Sequence, residues 1–162
     1  MAHSAKSPDY IEHVVHLYGD LIFDLCDSVL WSSTAAHQAF RTIFKDIRKH
    51  RPSDPYLDNE RAWVLHLACR NLKRLNRKIG RHLTASEQVM LDAIQEVPSR
   101  LGQFDSYFHR LILDDQLVLI LRDKYGLPYS EMASALGVPE GSLKVRRQQA
   151  LRTLEEWLWQ SA

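Results

Sequence analysis

Tyr129-Ser130-Glu131-Met132-Ala133-Ser134-Ala135-Leu136-Gly137-Val138-Pro139-Glu140-Gly141-Ser142-Leu143-Lys144 is the stretch whose reading decides the fold. Met132, Ala133 and Leu136 recur at helical spacing, Gly137 supplies a stop, and Pro139 restarts a second helix, its fixed φ suiting a first-turn position. Two helices across so tight a turn are the sequence form of a helix-turn-helix. In the second helix Leu143, Ala150, Leu154 and Trp157 share one stripe. Gly141, Lys144, Val145, Gln148, Gln149 and Arg152 must then look outward or lie at the edges of that stripe. This face is rich in donors and poor in acids. Small residues let a helix approach a groove, Lys and Arg reach phosphates or guanine edges, and Gln can bond an adenine edge in two places, so the pattern fits a major-groove reader. The competing reading is a helical hairpin packed on another protein with its cations merely solvated; Glu140, Glu155 and Glu156 flank the basic face and weaken a case made on charge alone.

Composition bounds the answer without deciding it. The chain has 162 residues, enough for one domain or two small ones, with a formal net charge of +1. A neutral total can hide a basic face: Arg70, Lys73, Arg74, Arg77 and Lys78 cluster in one segment, while Asp92, Glu96, Asp105, Asp114 and Asp115 make the next one acidic. Cys26 and Cys69 stand among apolar residues with no CxxC, which reads as two buried cytosolic thiols. His13, His16, Asp20 and Asp24 interrupt the first helix, so no N-terminal run is apolar enough for a signal peptide or a membrane span. The expectation is a soluble, cytoplasmic protein with no membrane insertion. No phosphate-cradling glycine loop and no nucleophile elbow appears, and the histidines lack metal-ligand spacing, so neither an enzyme nor a cofactor or metal site is expected.

Upstream, the chain reads as helices throughout. Ser7 can cap and Pro8 can start a first helix with Ile11, Val14, Val15, Tyr18, Leu21, Ile22 and Leu25 inward, ending near Val29. Ser32 or Ser33 caps a second, with Ala36, Ala39, Phe40, Ile43, Phe44 and Ile47 inward and His37, Gln38, Arg41 and Lys45 outward. Two prolines between Arg51 and Tyr56 mark a loop, after which Asp58 can cap a third helix bearing Trp63, Val64, Leu67, Ala68 and Leu72. Trp63 on that stripe reads as core. The basic run from Arg70 to Lys78 fits a solvated face as well as a phosphate-binding one. Thr84 to Glu87 has the spacing of a capping box opening a further helix that Pro98 ends, with Gly80 and the segment from Pro98 to Gly102 as hinges. Helices from Phe104 to Ile112 and from Asp114 to Tyr125 should buttress the helix-turn-helix. Trp157 continues the core stripe, whereas Trp159 falls off it.

Leu121-Arg122-Asp123-Lys124-Tyr125-Gly126-Leu127-Pro128, leading into the motif above and on to Val145-Arg146, resembles region four of bacterial sigma-70 family sigma factors, the small extracytoplasmic-function type in particular. The resemblance implies minus-thirty-five promoter contacts, with Lys144, Val145, Gln148 and Gln149 facing bases and Ser142, Arg146 and Arg152 near phosphates. Val145 stands where the family usually has Ser, and Gln148 and Gln149 where it has a basic or aromatic pair, so the promoter sequence does not carry over. Pro128 replaces a Ser or Thr and removes a helix cap. Tyr10 to about Lys78 is similar to sigma region two in its order of helices, in Phe40 and in Arg61-Ala62-Trp63-Val64. That similarity implies a core RNA polymerase contact at His37, Gln38, Arg41 and Lys45, and minus-ten DNA contacts at Arg70, Asn71, Lys73 and Arg74. Trp31, Ser32, Ser33 and Thr34 stand where the family places an acidic run.

The expectation is therefore an all-α chain of two small helical domains: a region-two-like three-helix bundle at 1–80, a helix-containing linker at 81–103, and a region-four-like helix-turn-helix domain at 104–162. Its expected role is that of a sigma factor whose partners are core RNA polymerase and promoter DNA; a hinged chain with an interface on each half would also permit an anti-sigma protein to clamp it. The alternatives are a sigma-like protein that sequesters a sigma regulator, and a stand-alone helix-turn-helix transcription regulator.

Overall fold

The computed structural model describes residues 8–30, 32–50, 58–81 and 103–160. Among them are seven α-helices and no strand: α1 (Pro8–Val29), α2 (Ser33–Lys49), α3 (Glu60–Arg81), α4 (Gln103–Arg110), α5 (Leu113–Leu119), α6 (Tyr129–Leu136) and α7 (Glu140–Gln160). The architecture is all-α, in two helical domains.

Helices α1 to α3 close the first bundle. Val14, Ile22, Leu25 and Cys26 of α1 meet Ala36, Ala39, Ile43 and Ile47 of α2 and Val64, Leu65, Ala68 and Leu72 of α3, all buried. The periodicity of α1 places Val15 inward, but its side chain is 42 % exposed, one position off the buried stripe. Ser32 caps α2, its Oγ accepting from the Ala35 amide at 3.0 Å. On α3 the cap is Asn59 and not Asp58: Asn59 Oδ1 accepts from the Ala62 amide at 3.0 Å. Asn59 immediately precedes the first helical residue, which puts its carbonyl within reach of that orphan donor. Burial pushes the thiols of Cys26 and Cys69 up to about 12, which keeps both protonated and inert.

The helix expected from Asp114 to Tyr125 divides. After α5 the backbone widens into a π-turn over Ile120–Lys124, with the Tyr125 amide donating to the Ile120 carbonyl at 3.1 Å. Gly126, at φ +65°, turns the chain out of it. Pro128 starts α6 with no side-chain cap. Gly137, at φ +68°, ends α6, its amide donating to the Ala133 carbonyl. Pro139 sits one position before α7, its carbonyl accepting from the Leu143 amide. Leu111, Leu119, Ala150 and Leu154 form a small second core flanked by Tyr107, Phe108 and Trp157. Trp157 packs on Tyr107, while Trp159 is 74 % exposed.

The main core runs through both halves: Leu117, Leu121, Met132, Ala135 and Leu143 join the buried residues of α1 to α3. The most extensive contact between the halves is α3 against α6. Arg61 clamps Glu131 with two bonds of 2.5 and 2.6 Å. His66 Nδ1 donates to the Ala135 carbonyl at 3.0 Å, Lys73 reaches Asp114 at 3.2 Å, and Asp24 of α1 takes both Lys124 and the Tyr125 hydroxyl. Gly80, a hinge by sequence, lies inside the last turn of α3. Ser7, the loop from Arg51 to Tyr56, the helix expected after Thr84 and the Pro98–Gly102 hinge lie outside the described residues.

Candidate nucleic-acid interface

Helix α7 has one buried and one exposed face. Leu143, Ala150 and Leu154 are buried, which fixes the rotation of the helix about its axis. Gly141, Ser142, Lys144, Val145, Gln148, Gln149 and Arg152 are thereby turned to solvent, Val145 at 54 % exposure. An open concavity of about 500 Å³ lies at the start of this face, lined by Ile112, Asp115, Gly141, Ser142, Val145, Arg146 and Gln149. Arg146 is the exception to full exposure: its Nη1 donates to Asp115 at 3.0 Å. That bond holds the guanidinium at the rim, beside a carboxylate.

A second group of cations stands beside this face. Arg147 is gripped by both oxygens of Asp123, and that pairing raises its guanidinium pKa further. Arg122 and Lys144 both lie near the Tyr129 ring. Arg122, Tyr129 and Arg147 were not singled out as site residues by sequence. The available signal was spacing, since Arg147 follows Lys144 by three residues and shares its side of the helix; the approach of Arg122 depends on how the π-turn folds against α6.

On α3 the basic run is largely engaged within the protein. Arg70 donates to Asp46 of α2 at 3.0 Å. Asn71 is 2 % exposed and donates to Asp46 and to the Leu67 carbonyl, each at 2.8 Å. Burial pushes the Asp46 carboxyl up, but the bonds from Asn71 and Arg70 outweigh it and hold the group below the usual carboxylate range. Lys73 faces Asp114, and Arg74 is exposed. Of the expected minus-ten set, Asn71 is thus buried in this arrangement and serves as a tie between α2 and α3.

His37, Gln38, Arg41 and Lys45 share the exposed side of α2. His37 Nδ1 donates to the Ser33 carbonyl at 2.7 Å and its ring meets Phe23 edge-on. The α2 residues and the α7 residues each share one exposed face, whereas on α3 Asn71 is buried and Arg70 and Lys73 are paired with carboxylates. Among the described residues no three His, Cys, Asp or Glu side chains converge as metal ligands, and no helix is long and apolar enough to cross a membrane.

Residues 102–154 match the family described as sigma-70, region 4. No curated protein matches the chain by sequence. Among solved structures, the sigma factor RpoE in complex with the anti-sigma factor NepR from Bartonella quintana is similar at 20% identity and a TM-score of 0.69, over 91% of this chain and 95% of that one. CnrH in complex with the cytosolic domain of CnrY is similar at 16% identity and a TM-score of 0.67, over 96% of this chain and 92% of that one. At such identities the likeness is one of fold. Residues 102–154 thus match sigma-70 region 4 by sequence, and the chain as a whole shares the fold of the solved sigma factor.

Proposed function

We propose that the protein binds core RNA polymerase and directs it to promoters by divided recognition. The observation that carries this reading is the rotation of α7, which buries Leu143, Ala150 and Leu154 and leaves a contiguous donor-rich face inside the matched region 4 segment. Lys144, Val145, Gln148 and Gln149 read bases of a minus-thirty-five element, while Ser142, Arg146 and Arg152 contact phosphates on either side. His37, Gln38, Arg41 and Lys45 of α2 form the polymerase surface. Arg70, Lys73 and Arg74, with Asn71 if its tie to Asp46 opens, form the minus-ten surface.

We assign 1–80 to the region-two-like domain, 104–162 to the region-four-like domain and 81–103 to the linker between them. A tether makes the second DNA contact effectively intramolecular, so neither domain need bind tightly alone. Engaging the minus-ten element requires Arg70 and Lys73 to exchange Asp46 and Asp114 for phosphates. The chain catalyses nothing itself and works in the cytoplasm beside polymerase. The similar RpoE and CnrH structures contain NepR and CnrY, which supports an anti-sigma protein as a further partner of this chain.

The engaged state of Arg70, Asn71 and Lys73 also suits a second reading, a sigma-like protein that sequesters a sigma regulator without initiating transcription. Pull-down of core polymerase by the purified chain, followed by run-off transcription on genomic fragments, separates the two. Core binding with new start sites is the expected result; a folded chain that binds no core enzyme points to the sequestering protein or to a stand-alone regulator.

A further inference from the structure

Tyr129 opens α6 at the corner where the π-turn and the reader helix meet, and two cations share its ring. The Arg122 guanidinium carbon lies 4.5 Å from the ring centroid and Lys144 Nζ lies 5.5 Å from it. Both distances fall within the roughly 6 Å over which an aromatic face attracts a cation. Arg122 is anchored independently, its Nη1 donating to the Leu127 carbonyl at 2.9 Å. Arg147 is anchored to Asp123 at 2.5 to 2.9 Å. The ring therefore stands on a frame whose other charges are already fixed, and Lys144 is the reader-face side chain that leans on it.

A lysine ammonium rides on a flexible four-carbon stem, and ordering that stem on binding opposes association. When the ammonium is free to roam it finds an acceptor on almost any base pair or phosphate. When it is held beforehand, it rewards only DNA that offers an acceptor at one place, which is the physical content of discrimination.

We infer that Tyr129 is a positioning residue for base readout: its ring, with Arg122 against it, holds Lys144 so that α7 discriminates at the base pair Lys144 faces. The inference rests on the promoter-reading function proposed above. It adds a determinant that lies outside the reader face and on a different helix.

The test uses the full chain assembled with core polymerase and a duplex library randomised across the upstream element, read by sequencing the bound fraction. Tyr129→Leu should lower the preference at the position that Lys144→Ala also affects by about three- to tenfold, with the other positions keeping their preferences. Tyr129→Phe should retain the wild-type preference, because the ring remains. The double variant Tyr129→Leu/Lys144→Ala should discriminate there no worse than Lys144→Ala alone. The salt dependence of binding should be unchanged in Tyr129→Leu, since no phosphate contact is removed. In parallel, the side-chain NMR signals of Lys144 should be displaced by the ring in the wild type and in Tyr129→Phe, and not in Tyr129→Leu. Full discrimination by Tyr129→Leu, an equal loss in Tyr129→Phe, a loss spread evenly over all positions, or undisplaced Lys144 signals in the wild type would each overturn the inference. Because Tyr129 is half-buried, Tyr129→Leu is checked for folding by its thermal melt, and the Phe and double variants carry the test if it melts early. A wild-type complex that selects no sequence overturns the promoter reading itself and the role of Tyr129 with it; selection by the wild type that Tyr129→Leu matches overturns only the latter.

Discussion

Exposed cations on this protein differ in what already holds them, and that difference sets what their removal should do. Lys144 is exposed on the reader face, so Lys144→Ala should weaken promoter binding by about 1–3 kcal/mol if the ammonium reads a base. Footprinting titrations at fixed salt measure this, and unchanged affinity would take Lys144 off the reading surface. Arg74 is exposed on α3, and Arg74→Ala should lower binding to all sequences alike while making the salt dependence shallower by about one counterion. An unaltered slope would mean that Arg74 is solvated and no more. Asp46 acts inwardly, with its carboxyl held below the ordinary range by Asn71 and Arg70 against the opposing effect of burial. A depressed folded-state pKa stabilises above the unfolded value of about 3.9 and ceases to do so as the pH falls through the folded value. The melting temperatures of wild type and Asp46→Asn should accordingly differ at neutral pH and converge as the solution is acidified below about pH 4.

At the scale of elements, the helix-turn-helix rests on a few positions with separable costs. Leu143 is the buried residue that locks α7 onto the core, and Leu143→Ala should destabilise the protein by about 2–5 kcal/mol in a denaturant melt. Gly137 stands at φ +68° with open space where a Cβ would be, so Gly137→Ala adds backbone strain without a clash and should cost about 1 kcal/mol. Most helices were legible from apolar spacing alone: α2 buries Ala36, Ala39, Ile43, Phe44 and Ile47 as its period requires. The π-turn after α5 was not. Ile120 and Leu121 are apolar at spacing that suits a continuous helix, and the widening needs one amide to reach back five residues, which leaves no mark in composition. The cap of α3 was similarly ambiguous, because Asp58 and Asn59 are both good capping residues and one step of backbone chooses between them.

Across the whole molecule, the consequential contact is α3 against α6. Glu131 is buried while Arg61 is about half-exposed, so the pair lies between a surface ion pair of little worth and a buried one that is costly to break. Glu131→Gln should cost about 1–2 kcal/mol of stability and loosen the hold of one half on the other. Thermal melting reports the first effect, and limited proteolysis the second; a variant with the wild-type melt and cleavage rate would show that apolar packing across the joint suffices. The same closure explains why the α3 face is occupied. Lys73 meets Asp114 across the halves, and Arg70 and Asn71 meet Asp46 within one of them, so charges that a DNA backbone would draw are neutralised by carboxylates instead.

The helical class, the helix-turn-helix and the rotation of its second helix were set by the sequence, because each follows from the spacing of apolar residues along one element and from glycine and proline at its ends. The sequence also determined that Trp157 packs and Trp159 does not, by the same phase argument. Only the tertiary structure decided that Asn71 is buried, that Arg146 and Arg147 are tied to Asp115 and Asp123, and that Lys144 shares the Tyr129 ring with Arg122. These depend on distances between residues far apart in the chain or across a turn, where a side chain's partner is chosen by how whole helices cross, and periodicity within one helix carries no information about that crossing.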